Sequence, residues 1–420
     1  MEKKKPFYGW VIVAASVALM MLGCGAFTGA AAAYIAPVCA QMGFAKGEFT
    51  LYRTIVSLLG ALLMPVFARL IRKAGVKKVM LIGLMGNALA YTLYSFAGAL
   101  WQFYLAAALE GIFTNGISFL SIGVLINNWF LDNRSTVAGI AYAGTGLGGA
   151  VFVPIISQLA ERLGWRWAYR GVAAVSVAVL LPVILLLLRD RPAQMGLAPY
   201  QAPGKKQEEG QAPAGAGSGV SLFAAKKMPA FWLLIFGFFL LNICCGGPSN
   251  HNVAFLQDLG YSTAFAAAVT SGYMAVVAAG KIAAGTLFDR LGTPRTALLL
   301  CAACIGFPVL ALFCRVPGIP WAYAAFLGFT GMGPSVGISA LVRHVFGDRD
   351  FASIFSLASM ASTLGAAVAA PLMGVIYDAS GSYTPAWMLW LVFSVLMAAC
   401  LMGALLAAKK REKAAEKAKA

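Results

Sequence analysis

Two charged side chains stand in stretches otherwise free of charge: Lys281 in MAVVAAGKIAAGTLF and Glu110 in FYLAAALEGIF. A cation inside an apolar helix costs a few kcal/mol, and it normally faces a cavity, a partner or a substrate. The substrate that an ammonium holds is an anion. Lys281 stands eight residues before Asp289, about 12 Å along a helix. Its other reading is a lysine reaching back to the membrane edge or paired with a structural acid. Glu110, removed from water, is an acid that can take and lose a proton near neutral pH. The bland alternatives are an ion pair facing a wet vestibule or a neutral, hydrogen-bonded structural acid. His251 and its repeat partner Tyr34 are candidate hydrogen-bond donors to a solute carboxylate, one from each half, and a structural bond to a backbone carbonyl is the competing role of His251. A buried imidazole also titrates near physiological pH. Tyr34, Asn115 and Tyr142 are candidate lining groups, with Asn250, Asn252, Ser118 and Thr145 behind them. Arg53 reads as a loop charge or gate, and Arg343-His344 as an interfacial anchor.

No enzyme constellation accompanies these residues. Two histidines, with no local Asp, Glu or Cys cluster, support neither a hydrolase triad nor a metal centre. The sequence contains no G-x-x-x-x-G-K-[ST] loop, so direct ATP drive is not indicated and no cofactor is expected. The eight cysteines fall in or beside apolar segments without metal-ligand spacing or a disulfide framework.

The elements that must position Lys281 and Glu110 are membrane spans. The chain is 60% hydrophobic and 11% charged, with a mean hydropathy of +0.80. Apolar stretches of about 20 residues, each long enough to cross a hydrocarbon core, recur over 9–38, 51–71, 77–97, 102–127, 136–159, 168–188, 229–257, 264–287, 296–314, 321–343, 352–376 and 385–407. An offset of 217 pairs Gly292 with Gly75, Gly328 and Gly333 with Gly111 and Gly116, and Gly260-Tyr261 with Gly43-Phe44. It also pairs LGAAVAAP (from Leu364) with LGGAVFVP (from Leu147), and His251 with Tyr34. The second half therefore copies the first, the layout of transporters whose solute site lies between two repeats. We expect an N-terminal six-helix half over 1–188, a cytoplasmic linker over 189–228, a second half over 229–408 and a basic tail over 409–420. The linker contains a Pro/Gly/Ala/Gln-rich flexible stretch, and SLFAAKKMPAFW suits a short helix at the membrane surface.

The net charge of +17 is distributed unevenly. With the N-terminus inside, cytoplasmic segments carry 25 of the 32 Lys and Arg, which by the positive-inside rule places both termini in the cytoplasm. The charge is an address for orientation and anionic lipid rather than for nucleic acid. The first apolar segment follows a basic start, but its length and its repeat partner identify it as an uncleaved span rather than a signal peptide.

GTLFDRLGTPR (Gly285 to Arg295) resembles the G-x-x-x-D-R-x-G-x-x-R loop of the major facilitator superfamily, between helices eight and nine. The resemblance implies an all-α integral membrane fold of twelve helices in two pseudo-symmetric halves, with Asp289, Arg290 and Arg295 latching one conformation. The first-half copy departs, with Arg72-Lys73 for the acid–base pair and Ala68 for the first glycine. Three stretches resemble the oxalate/formate antiporter and monocarboxylate transporter group: FYGWVIVAAS (Phe7 to Ser16), NWFLDNRSTVAGIAYAGTGLGG (Asn128 to Gly149, with Ser135 for the usual Gly) and RDRPAQMGLAP (Arg189 to Pro199). In that group a basic residue at the position of Lys281 binds the substrate carboxylate. Oxalate-type members carry a second cation in helix eleven, where SLASMASTLG has none. One fixed charge suits a monoanion better than a dianion. The expected function is alternating-access transport of a small organic anion, a monocarboxylate first, in a cell membrane. It would be coupled through Glu110 or His251 to protons, or run as exchange against a counter-anion. Its rivals are efflux of amphipathic drugs or another solute, and a sensor that binds without turnover.

Overall fold

The computed structural model describes residues 7–44, 46–201 and 219–417. Twelve helices among them are long and apolar enough to cross a membrane: α1 (Gly9–Thr28), α2 (Glu48–Ala74), α3 (Val76–Phe96), α4 (Leu100–Trp129), α5 (Arg134–Arg162), α6 (Trp165–Leu187), α7 (Pro229–Asp258), α8 (Ala264–Arg290), α9 (Thr293–Leu312), α10 (Ile319–Phe346), α11 (Phe351–Ser380) and α12 (Thr384–Arg411). Large apolar side chains such as Leu62, Met85, Leu105, Leu186 and Leu406 are more than half exposed. Such an outer surface is stable against lipid, where helices satisfy their own backbone groups. The chain is an all-α, multi-pass membrane protein.

The described residues form two compact units, Met1–Gly215 and Ala216–Ala420. In the first, α1 packs on α5, α2 on α4, and α3 on α4 and α6; in the second, α7 packs on α11, α8 on α10, and α9 on α10 and α12. Adding six to each helix number turns the first set of contacts into the second. Single residues carry the same copy. A Cβ on Gly111 would lie 2.9 Å from the Val56 carbonyl oxygen, and one on Gly328 would lie 3.0 Å from that of Tyr273. These contacts are again 217 residues apart, and at both only glycine lets the backbones approach so closely. Gly75 and Gly292 begin α3 and α9 at φ +90° and +82°, a left-handed geometry that glycine adopts at no steric cost.

The first apolar segment is not one continuous helix over 9–38. It is α-helical over Gly9–Leu19 and widens to a π-helical stretch over Met20–Gly29. It then turns through Ala31–Tyr34 into a separate helix, Ile35–Met42. The glycines in MMLGCGAFTG bring this stretch against α5: a Cβ on Gly25 would lie 2.6 Å from the Gly148 Cα. Close docking thus accompanies the distortion of a stretch whose apolar pattern alone reads as regular. α4 is likewise interrupted at Thr114–Gly116, and α10 at Gly333–Gly337.

Part of the expected linker is ordered on the first unit. Trp129 Nε1 donates to the Arg189 carbonyl at 2.8 Å, and Asn128 Nδ2 to that of Asp190 at 3.1 Å. Phe130 bridges to Tyr200. Leu222–Lys226 forms the short helix expected near the second half, capped by Ser221 Oγ. The Lys205-Lys206-Glu208-Glu209 stretch lies outside the described residues. The last helix runs on through the basic tail to Lys417.

Candidate functional site

Glu110 lies ten residues into α4 and is 1% exposed. Its neighbours are the groups that an isolated carboxylate in an apolar helix would need. Tyr94 on α3 donates to Oε2 at 2.8 Å, and Arg53 on α2 brings Nη1 to 3.6 Å from Oε1. The other Arg53 nitrogen, Nη2, donates to the Thr28 carbonyl at 3.2 Å. The break after α1 is what delivers Tyr34: its buried ring stacks on Tyr169 of α6 at 3.8 Å and 9°. Tyr91, one turn before Tyr94, donates to the Phe27 carbonyl, and Tyr52 to that of Ala31 at 3.4 Å. Four buried polar atoms in this cluster have no hydrogen-bond partner among the described residues: Tyr34 OH, Tyr169 OH, Arg53 Nη1 and Glu110 Oε1. Buried polar groups are otherwise almost always satisfied.

The remaining first-half candidates hold backbone. Asn115 is buried at the interruption of α4, and its Nδ2 donates to the Gly60 carbonyl of α2 at 2.6 Å. Tyr142 of α5 donates to the Phe119 carbonyl at 3.1 Å, with its ring edge-on to Phe119. Both fix irregular stretches of α4 whose own ladder is broken.

In the second unit, His251 of α7 has both ring nitrogens engaged. Nε2 is 3.0 Å from the Ala370 carbonyl of α11, and Nδ1 is 3.1 Å from the Tyr383 hydroxyl. A carbonyl only accepts, so Nε2 carries the proton and Nδ1 accepts from Tyr383. The imidazole thereby ties α7 to α11. Lys281 is half-buried in α8, between the buried residues Gly280 and Ala284, nine residues before the Arg290 end of the helix. Asp289 is half-buried, while Arg290 and Arg295 are exposed, on either side of the Gly292 turn.

From the sequence alone Arg53 reads as a loop charge or gate, and Tyr94, Tyr169 and Asp190 carry no role. Arg53 sits only five residues into α2, so proximity to the span end masked its partner; the missed signal was one internal acid needing one internal base. Asp190 accepts the Lys77 backbone N–H at 2.7 Å and covers Gly75, where a Cβ would collide with Oδ2. An acid from beyond α6 thus caps α3 beside the loop whose own copy of the motif lacks one. Among the described residues no group of three or more His, Cys, Asp or Glu is placed to hold a metal ion.

A family model described as Major Facilitator Superfamily matches residues 13–337 and 247–420. The chain is similar to monocarboxylate transporter 13 of Bos taurus, 27% identical over 323 residues, covering 76% of this chain and 71% of that protein. The Rattus norvegicus protein of the same name is 27% identical over 328 residues, with the same coverage. Among solved structures, the E. coli fucose:proton symporter FucP matches with a TM-score of 0.66 at 15% identity, over 96% of this chain and 99% of that one. That likeness shows the fold.

Proposed function

Because the chain belongs to the Major Facilitator Superfamily, and is therefore a transporter rather than an enzyme, we propose that its solute is a small organic anion, a monocarboxylate first. The observation that carries this reading is Lys281, a half-buried cation in an otherwise apolar stretch of α8. An ammonium there can hold a carboxylate, and a monoanion leaves the two together neutral. The name borne by the mammalian relatives points to the same chemical class.

Transport runs by alternating access, with Lys281 neutralising the carboxylate and Tyr34, His251, Asn115 and Tyr142 shaping the solute path. Glu110 carries the proton in a symport cycle; in an exchange cycle a counter-anion replaces it. Asp289, Arg290 and Arg295 latch one conformation. The membrane is a cell membrane with both termini cytoplasmic, supported by 25 of 32 basic residues falling on that side of the spans.

The test is counterflow in proteoliposomes preloaded with acetate, lactate, oxalate or formate. Accumulation of labelled monocarboxylates above protein-free vesicles is expected. Movement of amphipathic cations with no carboxylate flux would sink the assignment, and saturable carboxylate binding without flux would make the protein a sensor.

A further inference from the structure

We propose that Arg53, Glu110, Tyr34 and Tyr169 form a second, proton-gated carboxylate site lying wholly within the first unit. Ionised Glu110 occupies the arginine as an internal carboxylate; protonated Glu110 yields the guanidinium to the carboxylate of a solute. The identity of that solute rests on the monocarboxylate reading given above.

The geometry is that of a pair held near but not closed. At 3.6 Å, Arg53 Nη1 and Glu110 Oε1 are in charge contact but beyond an ordinary hydrogen bond. Both atoms are buried and unpartnered among the described residues, as are the hydroxyls of Tyr34 and Tyr169. Three donors and one acceptor therefore stand open within a tyrosine-walled cluster. A carboxylate, which accepts through two oxygens, matches that excess of donors. Arg53 is the more exposed member of the pair, its side chain 26% exposed against 1% for Glu110.

Charge balance makes the proton obligatory. Empty, the site holds Arg53⁺ and Glu110⁻ and is neutral. With one proton on Glu110 and one solute carboxylate on Arg53 it is neutral again. A carboxylate without the proton, or the proton without a carboxylate, leaves one uncompensated charge in a buried setting, which is strongly disfavoured. The proton comes from water on the loading side and leaves with the anion on the other, so one proton accompanies one carboxylate. Arg53 from α2 and Tyr94 from α3 contact Glu110; Tyr52 from α2, Tyr91 from α3 and Tyr169 from α6 pack around the Tyr94 ring, and Tyr34 from the turn after α1 stacks on Tyr169. Of these, Arg53 alone carries a countercharge.

The experiment measures lactate binding to the purified full chain by thermal shift at pH 6, 7 and 8. Wild type is expected to weaken by up to about tenfold per pH unit, the limit for one linked proton. Glu110→Gln should bind at pH 8 as tightly as wild type does at pH 6, with a flat profile. Arg53→Gln/Glu110→Gln, which removes both charges and strands neither, should lose the pH-dependent component of lactate binding and keep only the pH-independent component that Lys281 supplies. Its melting temperature without lactate checks that it is folded, and Arg53→Lys should restore part of the pH dependence. A wild-type pH profile in Glu110→Gln, or in the folded double variant, overturns the site. If those variants match wild type while Lys281→Gln loses binding, the monocarboxylate reading stands and only this site falls. If lactate and acetate fail to stabilise wild type at any pH, the monocarboxylate reading falls, and the site with it.

Discussion

Replacing Lys281 by glutamine separates substrate contact from a structural role, because the two predict effects on different quantities. The α8 span has 27 residues, about 40 Å of helix against a hydrocarbon core of about 30 Å. With overhang shared between its ends, Lys281, nine residues from Arg290, lies roughly 8 Å inside the core. Removing a cation from inside the span eases insertion by up to about 3 kcal/mol, so expression should be unharmed. A charge-assisted hydrogen bond to a carboxylate contributes about 1.5–3 kcal/mol. Its loss should raise KM for counterflow roughly 10- to 150-fold. Lys281→Arg should recover part of that, since charge is kept while a compact ammonium becomes a planar fork. The assay is initial-rate lactate counterflow on matched proteoliposomes, with melting temperature measured alongside. Wild-type KM in Lys281→Gln, with a lowered melting temperature, would refute substrate contact and leave Lys281 a structural ion-pair partner.

Asp289→Asn should slow turnover while leaving the order of preferred solutes unchanged, because Asp289 sits at the helix end beside Gly292; a changed order in a competition assay would contradict the latch role. Gly111→Val puts a side chain where a Cβ already meets the Val56 carbonyl at 2.9 Å, and should lower stability by about 1–3 kcal/mol; an unchanged melting temperature would show that α2 and α4 can separate there. Asp190→Ala strips the acceptor from the Lys77 N–H and should cost about 0.5–2 kcal/mol, more than Asp190→Asn, which keeps an acceptor oxygen; equal effects would rule out capping as the cause.

The twelve spans and their duplication were legible because hydropathy and glycine placement are local signals. Gly111 and Gly328 are recognisable as a pair by spacing alone, and both lie on a backbone carbonyl of the neighbouring even-numbered helix. The break in the first segment was not legible. Nothing within MMLGCGAFTG distinguishes a deformed helix from a regular one; the deformation goes with the approach of Gly148. Residues 189–201 show the same limit. They read only as the start of the linker between halves, yet Asp190 becomes fixed once the α3 N-terminus offers it an amide.

For the first-half cluster the costly residue is visible in the sequence and its compensation is not. Glu110 stands out because a carboxylate in an apolar run demands a reason, whereas Arg53, Tyr94 and Tyr169 fit span ends and aromatic girdles without one. Only the crossing of α2, α3, α4 and α6 gathers these three ordinary residues around Glu110. The second half has different chemistry at the matching places: Glu110 corresponds to Leu327 and Arg53 to Thr270, and Thr270 accepts from the Asn252 amide. In the other direction, Lys281 corresponds to Met64 of the first half, an apolar side chain where α8 carries its cation. The duplication therefore preserved the helix packing while the charges diverged. An acid–base pair remains in the first half, and a lysine stands in the second. Under the proposed function, that asymmetry gives proton handling to one half and the fixed positive charge to the other. A glycine that lets two helices touch must be kept in both copies, because each copy needs the same contact. A charge that handles a proton or an anion makes no such demand on the matching position of the other copy, so the repeat foretells the helices and not the site.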